Sequence, residues 1–347
     1  MEAEAQKLYE DMKVYLGKIV PDIELYYKAE IAVEINHLKH QRNAVILGHN
    51  YMEPVLFYSI PDFKGDSLDM SRKAAQVAQD VIVFCGVRFM AETAKILNPS
   101  KTVLLPSEKA GCSLAESITA EDVRALRRKF PSVPVVTYVN TYADVKAESD
   151  ICCTSSNAVA VVESLKSDTV IFLPDQYLAS NVARQTGKHI IFPSLPSVEI
   201  SDTSLLDVQF IGWHGKCEVH EKFTVGDIQA VRQQFPDVVV LTHPECSPEV
   251  VAASDYSGST NAMINFVRQS SAPHYLVLTE CAMGDNIAAA NPAKEILRLC
   301  MVRCPHMNTI TMENVRDALL YNRYVIDVPE PVRRRAYRAV QRMIEIG

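Results

Sequence analysis

The chain has 347 residues, of which 48% are hydrophobic, so it is long and apolar enough to bury two or three domain cores. Its 35 basic and 42 acidic side chains give a net charge of −7, which argues against a protein that binds nucleic acid or an anionic membrane. No charge-free apolar run approaches the roughly 18 residues of a membrane span, and the N-terminal residues resemble an acidic helix, not a targeting peptide. We therefore expect a cytoplasmic globular protein.

Glycine and cysteine narrow the class further. None of the 12 glycines forms a G-x-G-x-x-G or P-loop pattern, which argues against a nucleotide-binding loop. The nine cysteines are an odd number in a chain expected to occupy a reducing compartment, so a disulfide framework is not expected. Their alternatives are burial as small hydrophobic residues, a redox pair, or metal ligation.

The predicted elements begin with outer helices over 1–40 and end with helices over 312–345. Between them, segments built from an apolar strand, a polar tip and a helical pattern recur in three passes. They cover 44–55, 81–97 and 102–115; then 134–145, 150–165 and 169–183; then 238–250, 254–267 and 275–288. The second and third passes keep a nearly constant offset, since Val145 and Val250 are 105 residues apart and Ala158 and Ala262 are 104 apart. This constancy indicates an internal repeat.

Short, continuously apolar strands that alternate with helices predict parallel sheets covered on both faces. We therefore expect an α/β protein of three pseudo-symmetric, three-layer αβα domains around a central cavity. The predicted domains are 1–110, completed by the C-terminal helices at 305–347, then 111–215 and 216–304. In the loops that follow strands, Thr141 with Asp144 is expected to form a capping box, and Ser247 is expected to cap a helix that starts at Pro248.

Polar residues lie where these strands are expected to end, which is where ligands bind in parallel sheets. The first strand of each pass ends in His49 and Tyr51, in Tyr138 and Asn140, or in His243 and Glu245. The second strand ends in hydroxyl-rich tips in two passes, with Ser155 in one and Ser259 and Thr260 in the other. Backbone N–H groups and hydroxyls at such tips can hold carboxylate or phosphate, although helix capping explains the same hydroxyls equally well.

Three cysteines differ from the other six. Cys112, Cys217 and Cys304 each follow one of the repeats and lie in polar or Gly- and Pro-containing loops, whereas Cys85, Cys152, Cys153, Cys246 and Cys281 fit apolar strands. One thiol per repeat is what a three-point metal site on a pseudo-threefold axis requires, and a Cys-Pro pair is common at iron–sulfur sites. The spacing alone leaves both the metal site and simple burial open.

These residues together resemble the quinolinate synthase family over nearly the whole chain. The similar segments include HNY at 49–51, GVRFMAETAKILNPSKTVLLP at 86–106, AGCSLA at 110–115, VVTYVNT at 135–141, HPEC at 243–246, GST at 258–260 and CPHM at 304–307. The resemblance implies a transferase of NAD biosynthesis that condenses iminoaspartate with dihydroxyacetone phosphate. It also implies one [4Fe-4S] cluster, held by Cys112, Cys217 and Cys304 with one iron left open as a Lewis acid, and a functional link to an L-aspartate oxidase or dehydrogenase.

The resemblance also assigns roles to the strand tips. The residues implied in substrate binding are His49, Ser67, Tyr138, Asn140, Ser155, His243, Glu245, Ser259 and Thr260. For acid–base catalysis we expect Tyr51 and Glu245, with His243 beside them. Arg88 and Lys109 are further cationic candidates, for which an external salt bridge is an equally good explanation.

One departure from the family pattern concerns the last ligand. Some members have a C-x-x-C-x-x-C run there, whereas here Cys300 precedes Cys304 by four residues, and we expect Cys300 to be structural. Two other functions remain open at this stage: an iron–sulfur redox sensor without turnover, and a metal-free α/β protein that binds a phosphosugar.

Overall fold

The computed structural model describes residues 2–193, 208–299 and 301–347. Cys300 lies outside them. Sixteen α-helices are described: α1 Glu2–Leu16, α2 Asp22–Gln41, α3 Pro54–Phe57, α4 Ser67–Gln76, α5 Arg88–Leu97, α6 Ser113–Glu116, α7 Ala120–Lys129, α8 Ala143–Ala147, α9 Ala158–Glu163, α10 Gln176–Gln185, α11 Val225–Gln234, α12 Pro248–Ala253, α13 Thr260–Gln269, α14 Cys281–Ala290, α15 Met312–Tyr321 and α16 Glu330–Glu345.

The strands belong to three sheets, which we number in chain order. Sheet I contains β1 Ala44–His49, β2 Phe63–Gly65, β3 Val81–Cys85 and β4 Thr102–Leu104. Sheet II contains β5 Val135–Tyr138, β6 Ile151–Cys153, β7 Val170–Leu173, β8 Ile190–Ile191 and β9 Phe210–Gly212. Sheet III contains β10 Val239–Thr242, β11 Tyr256–Ser257, β12 His274–Leu278 and β13 Glu295–Arg298.

All three sheets share a four-strand order, to which sheet II adds the edge strand β8. Their strand orders are β2-β1-β3-β4, β6-β5-β7-β9-β8 and β11-β10-β12-β13, and every strand pair in them is parallel. Central strands such as β3 and β7 are buried along their whole length, because helices cover both faces. The predicted α/β class with three parallel sheets is confirmed. In each sheet the second strand lies on one side of the first strand and the third strand lies on its other side. Open parallel sheets bind ligands at the carboxyl ends of the strands where the strand order switches sides in this way.

The terminal helices pack outside the sheets. The helices α1 and α2 pack against each other, and α15 packs against α2 and β3. The last helix, α16, contacts α5 on the first sheet's side and α8 and β6 on the second's, so it joins two of the units. The domain boundaries expected from the sequence remain a prediction. Within the described residues, no helix has the length and apolarity needed to cross a membrane.

Of the two predicted helix caps, one is confirmed and one is wrong. Ser247 caps α12, since its side chain accepts a hydrogen bond from the Val250 N–H, and Pro248 takes the first helical position. By contrast, α8 starts at Ala143, one residue later than a Thr141 cap requires. The Thr141 hydroxyl instead donates to the Tyr138 carbonyl. A tertiary contact explains the later start, because the Ala143 N–H donates to the Glu92 carboxylate at 2.8 Å.

Candidate active site

A single cavity lies where the carboxyl ends of strands from all three sheets meet. It leaves about 70 Å³ of room for the centres of water-sized molecules. The sequence-predicted residues that line it are His49, Tyr51, Ser67, Cys112, Tyr138, Asn140, Ser155, Cys217, His243, Glu245, Thr260 and Cys304. Ser259 does not line it. Its hydroxyl accepts from the Ala262 N–H and caps α13, in accordance with the capping alternative.

The three lining cysteines have the same local structure. The backbone N–H groups two and three residues after each cysteine lower the pKa of its thiol: Leu114 and Ala115 for Cys112, Val219 and His220 for Cys217, and His306 and Met307 for Cys304. The Met307 N–H donates to the Cys304 sulfur at 3.5 Å. All three thiols are free and partly exposed. Turns of this kind stabilise a thiolate, and hydrogen bonds to sulfur are typical of iron–sulfur ligands.

A capping box fixes the helix that follows each of these turns. The capping threonines are Thr119 for α7, Thr224 for α11 and Thr311 for α15, and each stands seven residues after its cysteine. The N3 partners are Asp122, Asp227 and Asn314. Because the box satisfies the first helical N–H groups, it sets where the helix begins and therefore where the cysteine turn ends.

Without a metal the three thiols would be held protonated. Burial raises the pKa of Cys112 to about 12 and that of Cys304 to about 11, and it raises the pKa of Cys217 well above the ordinary range. The charge of Cys304 is felt at Cys112 and that of Cys112 at Cys217, so Cys112 lies close enough to interact with both of the other cysteines. A cationic iron centre would remove this cost by binding the deprotonated form.

His49 and His243 are equivalent donors that face the cavity. Each accepts, at Nδ1, a backbone N–H from two residues later, Tyr51 at 3.2 Å and Glu245 at 3.4 Å. This leaves the proton on Nε2, and the Nε2 of His243 lies 3.2 Å from the Ser155 hydroxyl oxygen. Burial lowers the pKa of His49 to about 4 and that of His243 to about 3, so both rings are neutral near pH 7.

A chain of hydrogen bonds joins Tyr51 to Glu245. The Tyr51 hydroxyl is 2.6 Å from the Thr279 hydroxyl, which is 2.9 Å from Nε2 of His220. Nδ1 of His220 lies 2.6 Å from the Glu245 carboxylate and 3.2 Å from the sulfur of Cys217. The chain therefore runs from a phenol to a carboxylate and passes a cysteine of the same cavity.

The pKa values of the two residues at the ends of this hydrogen-bond series are shifted in opposite directions. Burial would raise the pKa of Glu245, but His220 and a hydrogen bond from Tyr138 outweigh it and hold that pKa below the usual range. Burial and the nearby Glu245 raise the pKa of Tyr51 far above its ordinary value. Asn140 Nδ2 also donates to Glu245, at 3.2 Å. Tyr51 is thus the protonated end and Glu245 the anionic end.

The sequence interpretation did not single out His220 or Thr279. A signal existed for His220, because Cys217-x-x-His220 places the ring one turn after a ligand candidate. Thr279 directly follows β12, at the polar tip of the third sheet's central strands. Neither position identifies its partner, since Tyr51 and Glu245 are distant in sequence from both.

The cavity wall contains no lysine or arginine among the described residues. Arg88 forms an ion pair with Glu92 at 2.9 Å and stacks over Tyr142, in accordance with the salt-bridge explanation. Lys109 is also absent from the wall. Positive potential must come from Nε2–H groups and from the N-termini of α4 and α13, which start at the lining residues Ser67 and Thr260.

A second group of side chains in the cavity could also hold a metal ion. Ligand atoms of Cys217, His220 and Glu245 lie within 4.8 Å of one another. However, Nδ1 of His220 is directed at Glu245 in a 2.6 Å contact, so the two residues already satisfy each other. The three turn-capped cysteines fit an iron–sulfur cluster better than this trio fits a single ion.

Comparison with known proteins identifies close relatives. The family model described as "Quinolinate synthetase A protein" matches residues 33–345. The chain is 52% identical over 329 residues to quinolinate synthase 2 of Mesorhizobium japonicum, covering 95% of both chains. It is 50% identical over 331 residues to quinolinate synthase of Agrobacterium fabrum, covering 95% of this chain and 90% of the relative. It is 52% identical over 312 residues to quinolinate synthase of Xylella fastidiosa (strain 9a5c), covering 90% and 86%.

Proposed function

We propose that this protein, which belongs to the quinolinate synthetase A family, is a quinolinate synthase of NAD biosynthesis. The reaction is a transferase reaction that condenses iminoaspartate with dihydroxyacetone phosphate and releases quinolinate, one phosphate and two waters. The observation that supports it best is the cavity, which is lined both by three free cysteines and by a set of neutral hydrogen-bond donors.

The residues present fit a [4Fe-4S] cluster on Cys112, Cys217 and Cys304. Two backbone N–H groups lower the pKa of each of these thiols, and no protein side chain supplies a fourth thiol to the cavity within the described residues. When bound on three thiolates, such a cluster supplies an open iron site that can polarise a substrate oxygen for dehydration. We take Cys85, Cys152, Cys153 and Cys246 to be structural, because they are buried and absent from the wall.

Substrate binding is assigned to the strand tips. His49 and His243 would donate from Nε2, and Ser67, Ser155, Thr260, Tyr138 and Asn140 would supply further polar contacts to carboxylate and phosphate. Since no lysine or arginine of the described residues lines the wall, these donors and the two helix N-termini would balance the charge of anionic substrates. Ser259 contributes indirectly, by fixing the start of α13 and hence the position of Thr260.

Proton transfer is assigned to the chain from Tyr51 to Glu245. Imine formation, enolisation and two dehydrations all move protons, which a positioned acid and base can carry. Tyr51 would act as donor at one end, and Glu245 as acceptor at the other. Thr279 and His220 keep the two in contact through hydrogen bonds.

A supply of iminoaspartate is also implied. This imine hydrolyses readily in water, so an enzyme that oxidises L-aspartate, an oxidase or a dehydrogenase, must produce it nearby. We further propose that the protein acts in the cytoplasm, where reducing conditions keep partly exposed thiols free for iron.

The decisive experiment is an assay of anaerobically purified protein with oxaloacetate, ammonia and dihydroxyacetone phosphate. We expect quinolinate to form, with iron and sulfide present and absorbance at roughly 400 nm. Cys112→Ala should lose both the absorbance and the activity, whereas Cys152→Ala, which changes a buried thiol in β6, should keep both. An iron-free, folded Cys112→Ala protein with full activity would refute the assignment. Iron and absorbance without quinolinate would favour a redox sensor instead.

A further inference from the structure

Behind each of the three central strand tips, one buried nitrogen holds two backbone carbonyls. The tips are residues 50–52 after β1, 139–141 after β5 and 244–246 after β10. Their middle residues are Tyr51, Asn140 and Glu245, each two positions beyond His49, Tyr138 or His243. In every case the two carbonyls that are held flank the middle residue.

The three nitrogens come from different side chains. Nδ2 of Asn286 donates to the carbonyls of Asn50 at 3.1 Å and Met52 at 2.9 Å. Nδ2 of Asn181 donates to the carbonyls of Pro244 and Cys246, both at 2.9 Å. Nζ of Lys146 donates to the carbonyls of Val139, at 2.9 Å, and Thr141.

We propose that Asn286, Asn181 and Lys146, which we call the tip clasps, are positioning residues that aim Tyr51, Glu245 and Asn140 into the cavity. None of the three clasps lines the cavity wall. Each clasp instead holds the backbone on both sides of a residue that lines the wall. The kinetic part of this proposal rests on the proposed function; the structural part does not.

Each clasp buries a polar group at a cost in folding free energy, which argues that it does more than fill space in the core. All three side chains are buried, with Lys146 fully inaccessible. The Oδ1 atoms of Asn181 and Asn286 have no hydrogen-bond partner among the described residues. Lys146 forms no ion pair with any described residue, and Phe89 lies under its ammonium group. A buried polar atom without a partner costs free energy, which offsets part of what the two hydrogen bonds of each clasp contribute to the fold.

The repeat supports the same conclusion. Asn181 and Asn286 are each the sixth residue of their helices, α10 and α14. The sixth residue of α5 is Thr93, whose single O–H donates to the Phe89 carbonyl at 2.8 Å and cannot hold two carbonyls. At the remaining tip Lys146 of α8 makes the double contact instead. Three tips therefore reach the same arrangement with two different chemistries.

Two of the clasps, Asn286 and Asn181, also link one sheet to another. The helix α14 follows β12 of sheet III, but Asn286 holds the tip of sheet I. The helix α10 follows β7 of sheet II, but Asn181 holds the tip of sheet III. A shift of one sheet against its neighbour would therefore move a catalytic candidate directly.

The test compares Asn181→Leu, Asn286→Leu and Lys146→Met with Asn98→Leu. Asn98 is a matched control, because it is buried and its Nδ2 also donates to two carbonyls, those of Ala74 and Ala94, away from the cavity. We expect each clasp variant to lose at least about tenfold in kcat with normal iron content and KM changed less than about threefold. Asn98→Leu should lose thermal stability but keep kcat.

A double-mutant cycle identifies the residue through which each clasp acts. Asn181→Leu should add nothing to the loss caused by Glu245→Gln, but should multiply the loss caused by Tyr51→Phe. Asn286→Leu should show the reverse. The proposal would be overturned if the kcat losses multiplied when Asn181→Leu is combined with Glu245→Gln, or Asn286→Leu with Tyr51→Phe. A kcat loss in Asn98→Leu as large as in the clasp variants would also overturn it.

Hydrogen exchange gives a readout that does not depend on activity. Backbone amides near 243–247 should exchange faster in Asn181→Leu, and those near 49–53 in Asn286→Leu, with no change in Asn98→Leu. Unchanged exchange at the clasped tips would refute the clasps even if the wild-type protein made quinolinate. Where a leucine variant does not fold, aspartate keeps the shape and removes the N–H, and Lys146→Arg should restore most of the activity lost in Lys146→Met.

Discussion

Glu245 illustrates how much a single residue at this site depends on its neighbours. Its carboxylate accepts from Asn140 and Tyr138, contacts His220 at 2.6 Å, and lies 3.8 Å from His243. A buried carboxylate on its own would be protonated, but these donors keep it ionised. It therefore can accept a proton in a cavity where the other strong candidate, Tyr51, can only donate.

Replacing this carboxylate tests its role directly. Glu245→Gln keeps the shape and the oxygen that accepts from Asn140, but it removes the charge at the end of the chain from Tyr51. We expect kcat to fall by about 10²- to 10⁴-fold in anaerobic steady-state assays, with iron content and KM close to wild type. Glu218→Gln is the control, since Glu218 lines the same cavity but pairs with His306. A kcat equal to that of wild type would remove Glu245 from the acid–base role.

At the scale of elements, the recurring unit is a cysteine turn followed by a capped helix. The threonine cap stands seven residues after the cysteine in all three cases, and its N3 partner three residues later. Such spacing ties the position of a proposed cluster ligand to the start of a regular helix. Rigid elements hold a site more accurately than free loops do.

The contribution of one such cap to stability can be measured at Thr224 of α11. Thr224→Ala removes the side-chain acceptor of the Asp227 N–H and leaves that donor without its partner. We expect the free energy of unfolding to fall by about 1 kcal/mol, seen as a lower urea midpoint. Thr186→Ala is the control, because the Thr186 hydroxyl bonds carbonyls at the end of α10 and caps no N-terminus. Equal midpoints for wild type and Thr224→Ala would show that the cap contributes nothing.

At the scale of the whole molecule, the central cavity makes stability depend on pH. His49 and His243 are buried without a buried anion strong enough to charge them, so burial holds their pKa values at about 4 and about 3. In the unfolded chain a histidine has a pKa of about 6.5. Between those values the unfolded chain binds a proton that the folded protein does not, so the free energy of unfolding falls as the pH falls.

His49→Gln should remove one such contribution. Between pH 7 and pH 4 we expect the wild type to lose on the order of 3 kcal/mol more than the variant, because one pKa unit corresponds to about 1.4 kcal/mol. Urea unfolding at several pH values measures this. Parallel pH profiles for wild type and His49→Gln would show that His49 is not held neutral in the fold.

Local patterns in the sequence determined the α/β class, the repeat, the outer helices, the Ser247 cap and the polar strand tips. They could do so because strand burial, helix periodicity and capping depend on neighbours within a few residues. The same patterns singled out Cys112, Cys217 and Cys304 among nine cysteines, and all three line the cavity. The resemblance to the quinolinate synthase family supplied what spacing could not, namely the ligand set and the reaction.

Only the tertiary structure decided which side chains meet. The contacts of Tyr51 with Thr279 and of His220 with Glu245 join segments far apart in sequence, as do the clasps from Asn181 and Asn286. The Glu92 contact that moves the start of α8 also depends on how the sheets pack. Sequence specifies each strand end by local chemistry, but three strand ends form one site only when the packing of the sheets brings them together.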